Sequence, residues 1–184
     1  MNKLYNAGYH NSEDGAPEKG WAYDTEFLKP AFQQMEDRKA KILDFGCGES
    51  KLPAALRDQG HQVTGVDIAP PLQKQENRLT GDILELCISE NQFDLIYSYQ
   101  VFEHIPDPLP ILTELFRITK KGGFLLVHTD MEVPERFENG FRNWWYISPP
   151  DHCVFYRNRT FEVYLQDKPH ELVYKDEKSV IMKK

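Results

Sequence analysis

The chain has 184 residues, enough to bury one core but too few for a cofactor domain joined to a separate substrate domain, so a single domain over residues 1–184 is expected. Its 40% hydrophobic and 28% charged content is that of an ordinary globular protein, and a net charge of −7, from 22 basic and 29 acidic residues, disfavours a general nucleic-acid partner. The sequence shows no apolar run of membrane-spanning length, no signal-peptide pattern near Met1 and no CxxC pair among Cys47, Cys87 and Cys153, so a cytoplasmic protein with reduced thiols is expected.

Residues 5–23 are polar yet carry Tyr5, Tyr9, His10, Trp21 and Tyr23, which either cap the core or form part of a ligand lid. Thr25 is placed to N-cap a helix to about residue 37, with Phe27, Leu28, Ala31, Phe32 and Met35 at helical spacing and a break or kink expected at Pro30. Residues 1–38 thus read as an N-terminal lid and helix. Lys41–Phe45 is the first strand: Ile42, Leu43 and Phe45 are β-formers, Asp44 sits at the carboxyl end, and Gly46 and Gly48 permit a sharp turn and close ligand approach. Ser50 then caps a helix with Pro53 in its first turn and Leu52, Ala55 and Leu56 inward, stopped by Gly60.

Gln62–Asp67 is a second strand ending in an acid, and the polar run to Arg78 leaves room for a short helix or coil. Residues 79–83 form a short third strand with Asp82 near its end, and residues 93–98 a fourth, apolar enough to be buried on both faces. An unusual loop over residues 99–110 leads to a helix at about 110–120, where Lys120 and Lys121 complement the dipole and Gly122-Gly123 end it. Residues 124–128 are the fifth strand, 131–159 a long irregular segment on the substrate side, 160–166 a short helix, and 172–174 with 180–182 a closing hairpin around Asp176-Glu177. This alternation predicts an α/β fold: a Rossmann-like, doubly wound, mostly parallel sheet of about seven strands with a C-terminal antiparallel hairpin.

In such a sheet ligands bind at the carboxyl ends of the strands, where Asp44, Asp67 and Asp82 fall. Asp67 follows the first glycine by about 20 residues, the spacing at which a carboxylate accepts from two vicinal ribose hydroxyls. A GxG alone is weak evidence, but three acids in strand register make a strong nucleotide signal.

ILDFGCGES, VTGVD, GDILEL and FDLIYSYQVFEHIPDP, in this order, resemble the successive motifs of class I S-adenosylmethionine-dependent methyltransferases, closest to the ubiquinone-biosynthesis type; the resemblance covers about residues 41–128. It implies S-adenosylmethionine as cofactor, with Asp44, Gly46 and Gly48 beside its methionine part, Asp67 at the ribose, Asp82 and Ile83 at the adenine, Ser98, Gln100 and His104 lining the methyl-transfer site, and Cys47 and Ile68 also among the cofactor-binding residues. Ser50 departs from the pattern, since many members have a third glycine there. A nicotinamide-dependent oxidoreductase fits less well, because G-x-G-x-x-G needs glycine where Lys51 stands and Asp44 sits awkwardly near a pyrophosphate. Beside a cofactor bearing an ammonium and a sulfonium, the same acid is electrostatically favourable.

Methyl transfer from a sulfonium needs alignment and exclusion of water, and a base only where the acceptor must lose a proton. His104 is the leading candidate base, or else it fixes the turn from Glu103 to Pro106; Glu103 either orients it, binds substrate or is structural. His152 either enters the pocket from the late aromatic loop or is structural, and His128 is a weaker candidate. Trp144, Trp145 and Tyr146 are read as an apolar wall for the acceptor, as packing at the sheet edge, or as both. The sequence shows no His/Asp/Glu cluster at metal-ligand spacing, so no metal is expected. The expected activity is methylation of a small-molecule acceptor, with a non-catalytic partner subunit of the same fold as the alternative; oligomeric state is not legible.

Overall fold

The computed structural model describes residues 25–131, 144 and 146–184, so the expectations on Tyr5, Tyr9, His10, Trp21, Tyr23 and Trp145 lie outside the described residues. Strands β1 (Lys41–Phe45), β2 (Gln62–Asp67), β3 (Arg78–Thr80), β4 (Phe93–Tyr99), β5 (Thr119–His128), β6 (Glu171–Lys175) and β7 (Ser179–Lys183) form one sheet in the order β3-β2-β1-β4-β5-β7-β6. Pairs among β1 to β5 are parallel, and β7 runs antiparallel to both β5 and β6. The expected mostly parallel sheet of seven strands with a C-terminal antiparallel hairpin is therefore what the chain forms.

Alternation along the strands divides the core between two faces. Ile42, Leu95, Tyr97, Leu126 and Ile181 pack on one face with α1 (Lys29–Gln34) and α2 (Leu52–Asp58), whose Ala31, Leu52 and Leu56 are buried. Leu43, Ile96, Leu125, Val127 and Met182 belong to the opposite cluster, with α3 (Pro108–Ile118) and α4 (Asn158–Leu165), contributing Leu112, Leu115, Phe116 and Phe161. Both faces are covered, which is why the central strands read as continuous apolar runs.

Boundaries differ from expectation where proline and glycine act locally. Pro30 lies in the first turn of α1, where its missing N–H costs nothing, and the predicted helix divides into a 3-10 turn at Glu26–Leu28 followed by α1. Likewise α3 begins at Pro108 rather than at residue 110 and ends at Ile118, because Thr119 is already extended (φ −68, ψ 138). Lys120, Gly122 and Gly123 therefore belong to β5 and not to a helix end. There the β4–β5 register slips between Phe93↔Thr119 and Leu95↔Phe124, and a Cβ on Gly123 would stand 2.9 Å from the Asp94 carbonyl.

Asp94 ties this irregular edge together. Its carboxylate accepts from the Lys41 backbone N–H at 2.8 Å and from Lys120 Nζ at 3.0 Å, with Arg38 at 3.6 Å. Partial burial alone would raise its pKa, but these donors and cations hold it below the usual carboxylate range. A depressed carboxyl pKa contributes stability that is present above the unfolded-state value and lost as pH falls through the folded one. Asp94→Ala is expected to lower unfolding free energy by about 1–2 kcal/mol at pH 7 in urea titrations, with the gap closing as pH falls through the depressed pKa of the folded carboxyl.

Candidate functional site

β1 lies where the strand order reverses, with β2 on one side and β4 on the other, so the loops leaving β1 and β4 diverge and open a crevice at the carboxyl edge. The β1 turn passes through Gly46 (φ +78) and Gly48 (φ +47), and a Cβ on Gly46 would lie 2.3 Å from Val101 Cγ2. Glycine is thus required at Gly46 for both conformation and space. At Gly48 a Cβ would meet nothing within 4 Å, leaving that side of the turn open.

Asp67 holds the two neighbouring turns together: Oδ2 accepts from Gly48 N and Oδ1 from Ala69 N, each at 2.8 Å. Each oxygen keeps further acceptor capacity. Above them Arg78, its side chain 3% exposed, donates from Nη1 to the Gly48 carbonyl and from Nη2 to the Ala69 carbonyl at 2.6 Å, 3.9 Å from Asp67 Oδ1. Sequence reasoning passed over Arg78. Its only signal was a lone cation opening a short strand.

Asp44 is buried, on the same sheet face as Tyr97, its register partner on β4. Desolvation drives its pKa from 3.8 to about 7; the Tyr97 phenol opposes the rise, Asp67 adds to it and Arg78 opposes it. Cys47 is also buried, and desolvation, with Asp44 adding to it, pushes its thiol up to about 12, so it is unreactive near neutrality. Its Sγ fills the space above Gly65 on β2, where an added Cβ would stand 2.8 Å away.

The third acid is placed differently from expectation. β3 ends at Thr80, so Asp82 lies beyond the strand, exposed, and its Oδ1 accepts from Leu84 N at 2.9 Å in a local turn. Ile83 next to it is 1% exposed, whereas Ile68 after Asp67 is 43% exposed.

At the end of β4, Ser98 is fully buried with no hydrogen-bond partner for Oγ among the described residues, and Gln100 has left-handed backbone (φ +54). Gln100 Oε1 accepts from the Tyr146 phenol at 3.0 Å; that phenol is 2.6 Å from Thr129 Oγ1, which donates to Glu103 Oε2 at 2.9 Å. The 3-10 turn Phe102–His104 carries Glu103 and His104, and the Glu103 carbonyl accepts from Cys153 N at 2.8 Å and Val154 N at 3.2 Å, stapling the late loop to this turn. His152 is thereby brought to His104, ring centroids 4.8 Å apart, and Glu103 Oε1 lies 3.9 Å from His104 Nε2. Trp144 and Tyr146 are buried and tilted against each other at 5.1 Å. His128 instead stacks on Tyr99 and bonds Ser179 Oγ at 2.7 Å.

The profile of the methyltransferase domain family matches residues 21–173, most of the chain. The chain belongs to the methyltransferase domain family. It is 32% identical over 110 residues to a ubiquinone biosynthesis O-methyltransferase of Xanthomonas campestris pv. campestris, covering 53% of this chain and 46% of that protein. It is also 32% identical over 112 residues to 2-methyl-6-phytyl-1,4-hydroquinone methyltransferase of a Synechocystis species, covering 52% and 35% respectively. The chain thus spans less than half the length of these relatives. In fold it resembles the 1,6-didemethyltoxoflavin-N1-methyltransferase of Burkholderia thailandensis, solved with bound 1,6-didemethyltoxoflavin and S-adenosylhomocysteine, at a TM-score of 0.63 and 17% identity over 86% of this chain and 77% of that one.

In this methyltransferase-family chain, Asp44 carries a measurable signature. Because its folded pKa is raised, the native state keeps a proton that the unfolded chain gives up between about pH 4 and 7, so this contribution to stability is present below that window and lost through it. Asp44→Asn, neutral at every pH, is expected to melt with the parent near pH 4 and several degrees above it at pH 8, where the buried carboxylate costs up to about 4 kcal/mol. Thermal melts across that range measure the gap.

Proposed function

We propose that this chain is an S-adenosylmethionine-dependent methyltransferase acting on a small-molecule acceptor by in-line transfer. What carries the reading is the β1 turn clasped to Asp67, with a buried carboxyl behind it. When bound, the cofactor supplies a methyl group on a sulfonium that leaves as a neutral thioether. The residues fit such a group: Gly48 leaves open space, Asp67 retains lone pairs, and Ser98 Oγ is buried without a partner among the described residues.

In this assignment Asp44, Gly46, Cys47 and Gly48 shape the place for the methionine part, Asp44 facing its ammonium across a low-dielectric gap. Asp67 would hold the ribose hydroxyls while still fastening Gly48, and Ile68 would stand beside it as a cofactor-binding residue. Asp82 and Ile83 would hold the adenine. Ser98 and Gln100 would line the way to the methyl group; His104 is the candidate base for an acceptor that must lose a proton, Glu103 would orient it, and His152 would enter the same pocket from the late loop. One relative is named for ubiquinone biosynthesis and the other for a hydroquinone acceptor, which supports a small molecule as substrate. An acid just before the glycine turn argues against a pyrophosphate and so against nicotinamide chemistry.

Among the described residues no helix is long and apolar enough to cross a membrane.

Calorimetry with S-adenosylmethionine or S-adenosylhomocysteine tests the assignment. Both should bind one per chain, and Asp67→Ala should weaken binding at least about tenfold. Because a cation beside Asp44 favours its charged form, affinity for S-adenosylmethionine should rise about fivefold to tenfold from pH 6 to 7.5, and Asp44→Asn should abolish that dependence. An intact chain that binds neither ligand, together with no effect of Asp67→Ala, rules the reading out; binding without turnover until a second protein is added points to a partner subunit.

A further inference from the structure

We propose that Glu103, His104 and His152 form a binding site for a divalent transition-metal cation, with Zn2+ the best match to the donor set. One carboxylate oxygen and two imidazole nitrogens lie within 4.8 Å of one another. Adjacent residues supply two of the ligands, and the third comes from a loop nearly fifty positions on, stapled by its backbone to the Glu103 carbonyl.

The imidazoles are set for ligation. His104 Nδ1 is 2.8 Å from the Asp151 carbonyl and His152 Nδ1 is 2.6 Å from the Tyr146 carbonyl. A carbonyl only accepts, so Nδ1 carries the proton in both rings, and in the neutral ring Nε2 presents its lone pair. This is the outer arrangement that orients metal-ligating histidines and fixes their tautomer. The carboxylate is set in the same way: Thr129 donates to Glu103 Oε2, while the fully buried Oε1 has no hydrogen-bond partner among the described residues and lies 3.9 Å from His104 Nε2. A buried carboxylate oxygen left without a donor is costly, and electron-pair donors turned toward one another repel unless a cation lies between them.

Two imidazoles and one carboxylate suit Zn2+ and its first-row neighbours rather than Mg2+ or Ca2+. Bonds of about 2.1 Å put tetrahedral ligand atoms about 3.4 Å apart, so the cluster closes by roughly 1 Å on binding. Both histidines are only partly buried, and three protein ligands leave the fourth position of a tetrahedral site for water or a hydroxyl of the acceptor. There a hydroxyl of the acceptor would lose its proton more readily. That use rests on the methyltransferase reading; the site itself does not.

The test uses the full chain, stripped with chelator and titrated with Zn2+ alone against a chromophoric competitor, and with Co2+ to read ligand-field absorption. One Zn2+ per chain and a Co2+ spectrum of nitrogen and oxygen ligation are expected. His152→Ala and Glu103→Gln should each weaken Zn2+ binding at least about 100-fold, while Cys87→Ser leaves it unchanged. Thermal melts establish that each variant is folded, and S-adenosylhomocysteine calorimetry on His152→Ala should give the parent affinity, so failure of the metal site and failure of the cofactor reading are distinguishable. Absence of stoichiometric Zn2+ binding, as when the cluster holds only a proton, overturns the proposal, and so does binding that a folded His152→Ala retains in full.

Discussion

One carboxylate holds the carboxyl edge of this sheet in shape. Asp67 fastens the turn after β1 through Gly48 and the turn after β2 through Ala69, and Arg78 closes the same two turns from their carbonyl side. Donors and acceptors of two loops are thus satisfied by one acid and one base, both largely buried. The turn bearing Gly46 and Gly48 has no regular secondary structure to define it, so it is held by this clasp together with backbone bonds from Gly46 N and Cys47 N to the Val66 carbonyl. In the proposed reading the residue that meets the ribose also preorganises the surface beside it.

Burial of Asp44 follows from the same architecture. It stands on the central strand, where parallel neighbours and covering helices leave little room for water. Leucine there would pack more favourably, and a carboxyl with its pKa raised to about 7 is a standing cost at neutral pH. Such a cost is characteristic of positions held for chemistry rather than for folding.

The sheet was legible in the sequence because its signals are local. β1 and β2 fall at the expected residues since apolar runs end there at an acid followed by a turn, and the hairpin of β6 and β7 follows from two short apolar runs around Asp176-Glu177. The misplaced boundaries arose where proline and glycine have more than one use: Pro108 opens α3, and Gly123 serves close passage past Asp94. The site was legible only in part. Asp44, Gly46, Gly48 and Asp67 converge as expected, whereas Arg78 bonds mainly to backbone carbonyls, which no side-chain pattern marks. Likewise the meeting of His152 with Glu103 and His104 depends on two backbone hydrogen bonds from the late loop, beyond the reach of ligand-spacing rules.

The contact between Cys47 and Gly65 joins the turn to the strand beside it. With Sγ filling the space a side chain on Gly65 would need, the two positions share one volume and cannot vary independently. A larger residue at 65 is admissible only in a background where 47 has shrunk, which is sign epistasis across a parallel strand pair. Selection therefore acts on the pair, and a thiol that is chemically silent can persist because it is the shape complement of a missing side chain.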